Sequence, residues 1–147
     1  METIRIIRVI IESRLENCAL VGAAVRGIAE MLSMDATGIY HLELCAVEAV
    51  TNVIKHAYHC EAGHSLEMDI QLYPDRLTMQ LRDCGERIDL SKIKPFQFDP
   101  RKVEMLPERG MGTFILKNLM DEINYEVVQG RNILTMSKHL NIEEPTT

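Results

Sequence analysis

The stretch at residues 42–58 constrains the fold most, because it reads as one amphipathic helix without a proline or glycine. Its Ala and Leu residues favour a helix. At helical spacing the apolar residues share one side: Ala46, Val50, Val53, Ile54 and Ala57. The other side carries Glu48, Asn52 and Lys55, with Thr51 and His56 at its edges. We therefore expect a helix that packs its apolar side on a core and presents a carboxylate and a carboxamide one turn apart.

The polar side of this helix has two interpretations. The ordinary one is a solvated face, which most amphipathic helices carry. Asn is a poor helix former whose side chain competes for backbone groups, so Asn52 is a costly choice for a merely solvated position. The helix alone leaves both interpretations open.

The length of 147 residues suggests one domain spanning residues 1–147. Apolar residues make up 46% of the chain, enough for a packed core. The formal net charge of −6 argues against non-specific nucleic-acid binding and suits a partner with a basic patch. No apolar run is long enough to span a membrane, and the N-terminal segment lacks the pattern of a signal peptide. We expect a cytoplasmic protein without nucleic-acid or membrane partners.

The cysteines form no Cys-x-x-Cys pair, and two of them, Cys18 and Cys45, fall within helical apolar patterns typical of a core. A second group of possible metal ligands clusters near the end of the helix: His56, His59, Cys60 and His64. A metal site there is an alternative, which their irregular spacing disfavours.

The remaining pattern predicts the order β-α-α-β-β-lid-α-β-β. The expected elements are a strand at 3–13, helices at 17–32 and after Asp35, a hairpin at 65–83, a short helix after residue 113, and strands at 123–128 and 133–137. Asn17 and Asp35 are the candidate N-caps. Residues 86–109 contain three prolines and are predicted to form a mobile lid. The fold class is α+β, a two-layer sandwich with helices on one face of a mixed, mostly antiparallel sheet.

Two further features suggest a site for a nucleotide. Asp83 ends a predicted strand and offers an acceptor for an exocyclic amine, and Gly85 would let a flat ring lie against the backbone. Gly110 and Gly112 precede a predicted helix whose free N–H groups suit an anion. On the helix edge, Asn52 offers the neutral oxygen that can complete a Mg²⁺ shell held mainly by phosphates.

Each feature also has an ordinary interpretation. Asp83-Cys84-Gly85 alone is a good turn, Gly-x-Gly before a helix is weak by itself, and Arg109 fits a solvated charge. Their occurrence together in this order is much less expected by chance, and it favours a site.

The sequence resembles the anti-sigma-factor serine/threonine kinases, small bacterial members of the GHKL superfamily of Bergerat-fold, histidine-kinase-like ATPases. Residues 48–58 look like the N-box of that family, Asp83-x-Gly85 is similar to its first glycine box, and residues 109–112 are similar to its second. The likeness in element order covers roughly residues 3–140.

The resemblance implies an ATP-Mg²⁺ site. Asn52 would coordinate Mg²⁺, Asp83 would bind the adenine amino group, and Glu48 would be the base that deprotonates a serine or threonine hydroxyl on a STAS-domain anti-anti-sigma protein. The other nucleotide-binding residues that it implies are His56, Gly85, Arg109, Gly110, Met111, Gly112 and Thr113. Family members are typically homodimers that hold a sigma factor inactive.

Two positions depart from the family pattern. Arg87 stands where a second glycine is usual, and Arg131-Asn132-Ile133 replaces a Gly-Thr-Thr sequence near the last strand. An alternative function is an ATP-binding switch that sequesters its partner without phosphotransfer, although Glu48 favours the kinase because ATP binding needs no base. A third, the catalytic domain of a sensor histidine kinase, is disfavoured by the chain length.

Overall fold

The computed structural model describes residues 4–88 and 118–140 and has the predicted α+β architecture. Its helical elements are a 3₁₀ turn at Leu15–Asn17, α1 at Cys18–Ala29, α2 at Ala36–Asn52 and a π-helical turn at Val53–Ala57. Its strands are β1 at Arg5–Glu12, β2 at Ser65–Leu72, β3 at Arg76–Asp83, β4 at Glu122–Val128 and β5 at Arg131–His139. The predicted short helix after residue 113 falls mostly outside the described residues, of which Asn118 and Leu119 are helical.

The described strands form one sheet in the order β1-β2-β3-β5-β4, and every neighbouring pair is antiparallel. The expectation of a mostly antiparallel sheet is confirmed, without a parallel pair among these strands. The register places Asp83, the last residue of β3, directly opposite Asn132 near the start of β5. This pairing brings the predicted adenine-binding residue beside a position that departs from the family pattern.

The core lies between α2 and one face of the sheet. Alternate residues of β2 and β3 point into it, among them Met68, Ile70, Met79 and Leu81, each at most 2% exposed. All five residues assigned to the apolar side of the helix are buried, as the helical spacing predicted: Ala46, Val50, Val53, Ile54 and Ala57. The polar edge of α2 therefore faces away from the sheet core.

The opposite face of the sheet carries a network of charged residues. Both oxygens of the Asp69 carboxylate are paired, Oδ1 with Arg8 at 2.7 Å and Oδ2 with Arg82 at 3.0 Å. The hydrogen bond from Arg8 holds the pKa of Asp69 below its usual value, although burial opposes this shift. Polar residues thus alternate with core residues along β2 and β3, because no helix of the described ranges covers this face.

The two predicted N-caps have different outcomes in the structure. Asp35 caps α2, since its Oδ1 accepts a hydrogen bond from the Gly38 amide at 2.7 Å. Asn17 stands at the N-cap position of α1, as predicted, but its side chain makes no capping hydrogen bond. The preceding 3₁₀ turn already places Asn17 in a helical conformation, and its side chain donates to the Glu12 carbonyl instead. No helix in the described part of the chain is long and apolar enough to cross a membrane.

Candidate functional site

The polar edge of α2 presents Glu48 and Asn52 one helical turn apart. Both side chains are half-buried, whereas Ala49 and Val50 on the core side are buried. Within residues 4–88 and 118–140, neither Glu48 nor Asn52 makes a side-chain hydrogen bond or an ion pair. A carboxylate and a carboxamide oxygen are therefore placed, partly dehydrated, where an external ligand can meet them.

The helix changes its geometry immediately after Asn52. Residues Val53–Ala57 form a π turn, closed by the hydrogen bond from the Tyr58 amide to the Val53 carbonyl at 3.0 Å. Such turns inside helices occur often at functional sites. His56 lies within this π turn and is exposed, and its predicted role in nucleotide binding stays a prediction.

Asp83 is buried at the end of β3, with 4% of its surface exposed. Its Oδ1 accepts hydrogen bonds from the Gly85 amide and from Nδ2 of Asn132, both at 2.9 Å. Burial raises the pKa of Asp83, and these two hydrogen bonds oppose the shift by favouring the charged form. The protein thus fixes one carboxylate oxygen and leaves Oδ2 as the candidate acceptor for a ligand.

Gly85 lies against the end of the helical segment. A Cβ at this position would stand 2.7 Å from the Ala57 carbonyl oxygen and 2.8 Å from the Ala57 Cβ, closer than real contacts allow. The amide of Glu86 donates to the same carbonyl at 2.9 Å. The structure therefore gives a packing reason for glycine here, while contact with a flat ring stays a prediction.

Sequence reasoning overlooked Tyr58 and identified Asn132 only as part of a departure from the family pattern. The Tyr58 hydroxyl accepts a hydrogen bond from the Cys84 amide at 2.8 Å. The Asn132 amide, 2% exposed, bridges Asp83 Oδ1 and the Gly85 carbonyl. The signals were the position of Tyr58 at the end of the helical stretch and the pairing of Asn132 with Asp83, which needs the strand register.

The first residues of the predicted lid, 86–88, are tied to the body of the protein. Besides the bond from Glu86 to Ala57, the Ile88 amide donates to the Tyr125 hydroxyl on β4 at 3.1 Å. The rest of that segment, residues 89–109, and the predicted phosphate-binding residues Arg109, Gly110, Met111, Gly112 and Thr113 lie outside the described residues. Their roles stay predictions.

The alternative metal site around His59 and Cys60 is not borne out in the described ranges, where no group of three or more His, Cys, Asp or Glu side chains is arranged to hold a metal ion. His59 instead pairs with Glu86 at 2.7 Å, and His64 stacks on Tyr58 with 4.4 Å between ring centroids. Mg²⁺ makes a different demand, because it binds through one or two protein oxygens together with phosphates and water. The carboxamide of Asn52 beside the carboxylate of Glu48 fits that demand.

The antiparallel sheet, the helix with a free polar edge and the glycine turn docked on its end together define a histidine kinase-like ATPase domain. Residues 11–138 match the family model described as "Histidine kinase-like ATPase domain", and the chain belongs to this family. Among curated proteins it is 30% identical to the serine-protein kinase RsbW of Bacillus cereus strain G9842, over 98% of this chain and 91% of the relative. The RsbW of Bacillus thuringiensis subsp. konkukian is 29% identical with the same coverage.

A solved structure supports the same fold. The crystal structure of the RsbU and RsbW domains of Rv1364c from Mycobacterium tuberculosis superposes with a TM-score of 0.60 at 13% identity. The match covers 92% of this chain and 32% of that chain. The family model and the curated relatives confirm the resemblance to anti-sigma-factor serine kinases, and this structure supports the Bergerat-type fold class.

Proposed function

We propose that this protein is an ATP-dependent serine/threonine protein kinase and anti-sigma factor, which phosphorylates a STAS-domain anti-anti-sigma protein and sequesters a sigma factor. The family and the names of the relatives support the class of activity. The observation that carries the proposal is the half-buried pair of Glu48 and Asn52 on α2, without partners in the described part of the chain. A nucleotide-binding module alone has no use for the carboxylate of that pair.

ATP would bind with its base at the Asp83 turn. Oδ2 of Asp83 accepts the hydrogen bond of the exocyclic amine, while Gly85 lines the base, and His56 contributes to the nucleotide site. Arg109 and residues 110–113 hold the phosphates by the resemblance to the second glycine box. Asn52 supplies an oxygen ligand to Mg²⁺, which, when bound, neutralises charge on the phosphate oxygens.

Glu48 would act as the general base. Its carboxylate orients the serine or threonine hydroxyl of the partner and takes its proton as the hydroxyl oxygen bonds to the γ-phosphorus. The bond between that phosphorus and the β–γ bridging oxygen breaks, and ADP leaves with the electron pair. Phosphoryl transfer of this kind needs positioning and charge neutralisation more than covalent catalysis, so a single well-placed carboxylate suffices.

The assembly that we propose is a cytoplasmic homodimer. The net charge of −6 suits client proteins that present a basic surface, and it raises the rate of encounter with them. Size-exclusion chromatography with light scattering, with and without a sigma factor, tests both the dimer and the sequestration.

Intact mass spectrometry of a STAS-domain partner after incubation with ATP and Mg²⁺ tests the kinase. We expect the partner to gain one phosphoryl group, and Glu48→Gln to abolish the gain while ATP binding persists. Glu43→Gln is the matched control, because Glu43 lies on the same helix but pairs with Arg26 at 3.2 Å, and it should retain the activity. Tight ATP binding and partner binding without any phosphoryl gain would instead establish the non-catalytic switch.

A further inference from the structure

We propose that Tyr58 is a positioning residue, whose hydroxyl ties the Asp83–Gly85 turn to the end of the helical layer and thereby orients the carboxylate that reads the nucleobase. The role in base recognition rests on the proposed ATP binding, whereas the tie itself is a property of the protein alone.

The Tyr58 hydroxyl joins three elements. Tyr58 directly follows the π turn and is 6% exposed. The hydroxyl oxygen accepts a hydrogen bond from the Cys84 amide at 2.8 Å, and the hydroxyl donates one to the Ser65 carbonyl at 3.3 Å. Since Ser65 begins β2 and Cys84 follows β3, one hydroxyl links the helix end to the ends of two neighbouring strands. Burial raises the pKa of Tyr58, so the proton needed for the second bond stays in place at neutral pH.

The ring of Tyr58 is held independently of its hydroxyl. It stacks on His64 with the two planes 4° apart, and it belongs to the buried core cluster. Removal of the oxygen alone should therefore leave the ring in place. The substitution would remove the hydrogen-bond acceptor of the Cys84 amide, which belongs to the peptide bond immediately after Asp83.

The position of this peptide controls where the Asp83 carboxylate points. Asp83 Oδ1 is fixed by the Gly85 amide and by Asn132, and Gly85 in turn lies on Ala57. Without the hydrogen bond from the Cys84 amide, the turn can rotate about these remaining contacts. Such a rotation displaces Oδ2 of Asp83 from the exocyclic amine whose hydrogen bond it should accept. The effect should be specific to the base, because the proposed function assigns the phosphates to other residues, Arg109 and 110–113.

The test uses Tyr58→Phe in the full chain, with calorimetric titration of ATP and of inosine triphosphate, which lacks the exocyclic amine. We expect ATP affinity to fall about tenfold, the size of one hydrogen bond to a charged acceptor. Affinity for inosine triphosphate should change less than about twofold, so the preference for ATP shrinks. An equal loss for both nucleotides, or an unchanged ATP affinity, would overturn the role in base recognition.

Amide hydrogen exchange without nucleotide tests the tie separately. In the wild type the Cys84 amide should exchange as slowly as those of β3, and Tyr58→Phe should accelerate it. Rapid exchange in the wild type, or no change in the variant, would overturn the tie. Tyr125→Phe is the matched control, because it removes the same kind of bond at Ile88 and should leave Cys84 protected. A wild-type protein that binds no ATP would refute the proposed function, while these exchange rates still decide the tie.

Discussion

Gly85→Ala should destabilise the protein through one contact that the structure defines closely. The added Cβ would lie 2.7 Å from the Ala57 carbonyl oxygen, 2.8 Å from its Cβ and 2.9 Å from its carbonyl carbon. These atoms are backbone or attached directly to it, so no side-chain rotation relieves the overlap. The turn must therefore move away from the end of the helical segment.

The size of the effect follows from that displacement. An ordinary contact begins at 3.4 Å, so the turn must move by about 0.7 Å. The bond from the Glu86 amide to the Ala57 carbonyl, now 2.9 Å, would then exceed hydrogen-bond distance. Overpacking costs about 1–3 kcal/mol and the lost bond about 1 kcal/mol, which together give about 3 kcal/mol of unfolding free energy.

Urea unfolding at neutral pH measures this difference, and thermal unfolding should show a decrease of roughly 6–12 °C in Tm for a chain of this size. Gly27→Ala is the matched control. Gly27 lies within α1 and a Cβ there meets nothing within 4 Å, so the same substitution should stabilise by about 0.5–1 kcal/mol. If Gly85→Ala left the free energy of unfolding within about 0.5 kcal/mol of the wild type, the turn could not be docked on Ala57 as described.

Three further substitutions are expected to act on single properties. Asn52→Ala should remove Mg²⁺-dependent ATP binding while the circular dichroism spectrum and Tm persist, and normal affinity by calorimetry would contradict the ligand role. Burial raises the pKa of Asp83, so stability decreases as the pH rises through that pKa and the carboxyl ionises. Asp83→Asn should therefore raise the urea midpoint at pH 7, and the difference from the wild type should disappear towards pH 4. The same substitution should abolish ATP binding. Asp69 has a lowered pKa, so its contribution to stability is present at neutral pH and is lost in acid. Asp69→Asn should cost about 1–3 kcal/mol at pH 7 because the half-buried Arg82 loses one of its charged partners, and a pH-independent difference would refute the pairing.

Much of the fold was predictable because it rests on local periodicity. Alternation along residues 65–83 gave the hairpin, and helical spacing assigned the buried side of α2 correctly. Asp35 was recognisable as a cap because Asp is a preferred residue directly before a helix, and its side chain does accept a hydrogen bond from the amide three residues later. These patterns depend only on which face of an element meets the core, and the spacing of apolar residues along the sequence indicates that face directly.

The contacts that hold the site together were not predictable in the same way. The π turn after Asn52 depends on how the helix end packs, since its sequence reads as an unbroken α-helix. Tyr58 lies 26 positions from its partner Cys84, and Asn132 lies 49 positions from Asp83. Such pairs follow from sheet register and from the docking of the helix, which are properties of the assembled layers.

The segment after β3 is preorganised although it is neither strand nor helix. Its amides at residues 84, 86 and 88 are held in turn by Tyr58, Ala57 and Tyr125, which belong to the helical end and to the edge strand β4. Backbone with this many partners loses little further conformational entropy when a ligand arrives, so more of the interaction energy appears as affinity. The same contacts join the Asp83–Gly85 turn to the end of the helix that carries Glu48 and Asn52. If Asp83 binds the nucleobase as proposed, Ala57 and Tyr58 are the residues through which a movement of that helix would reach the base.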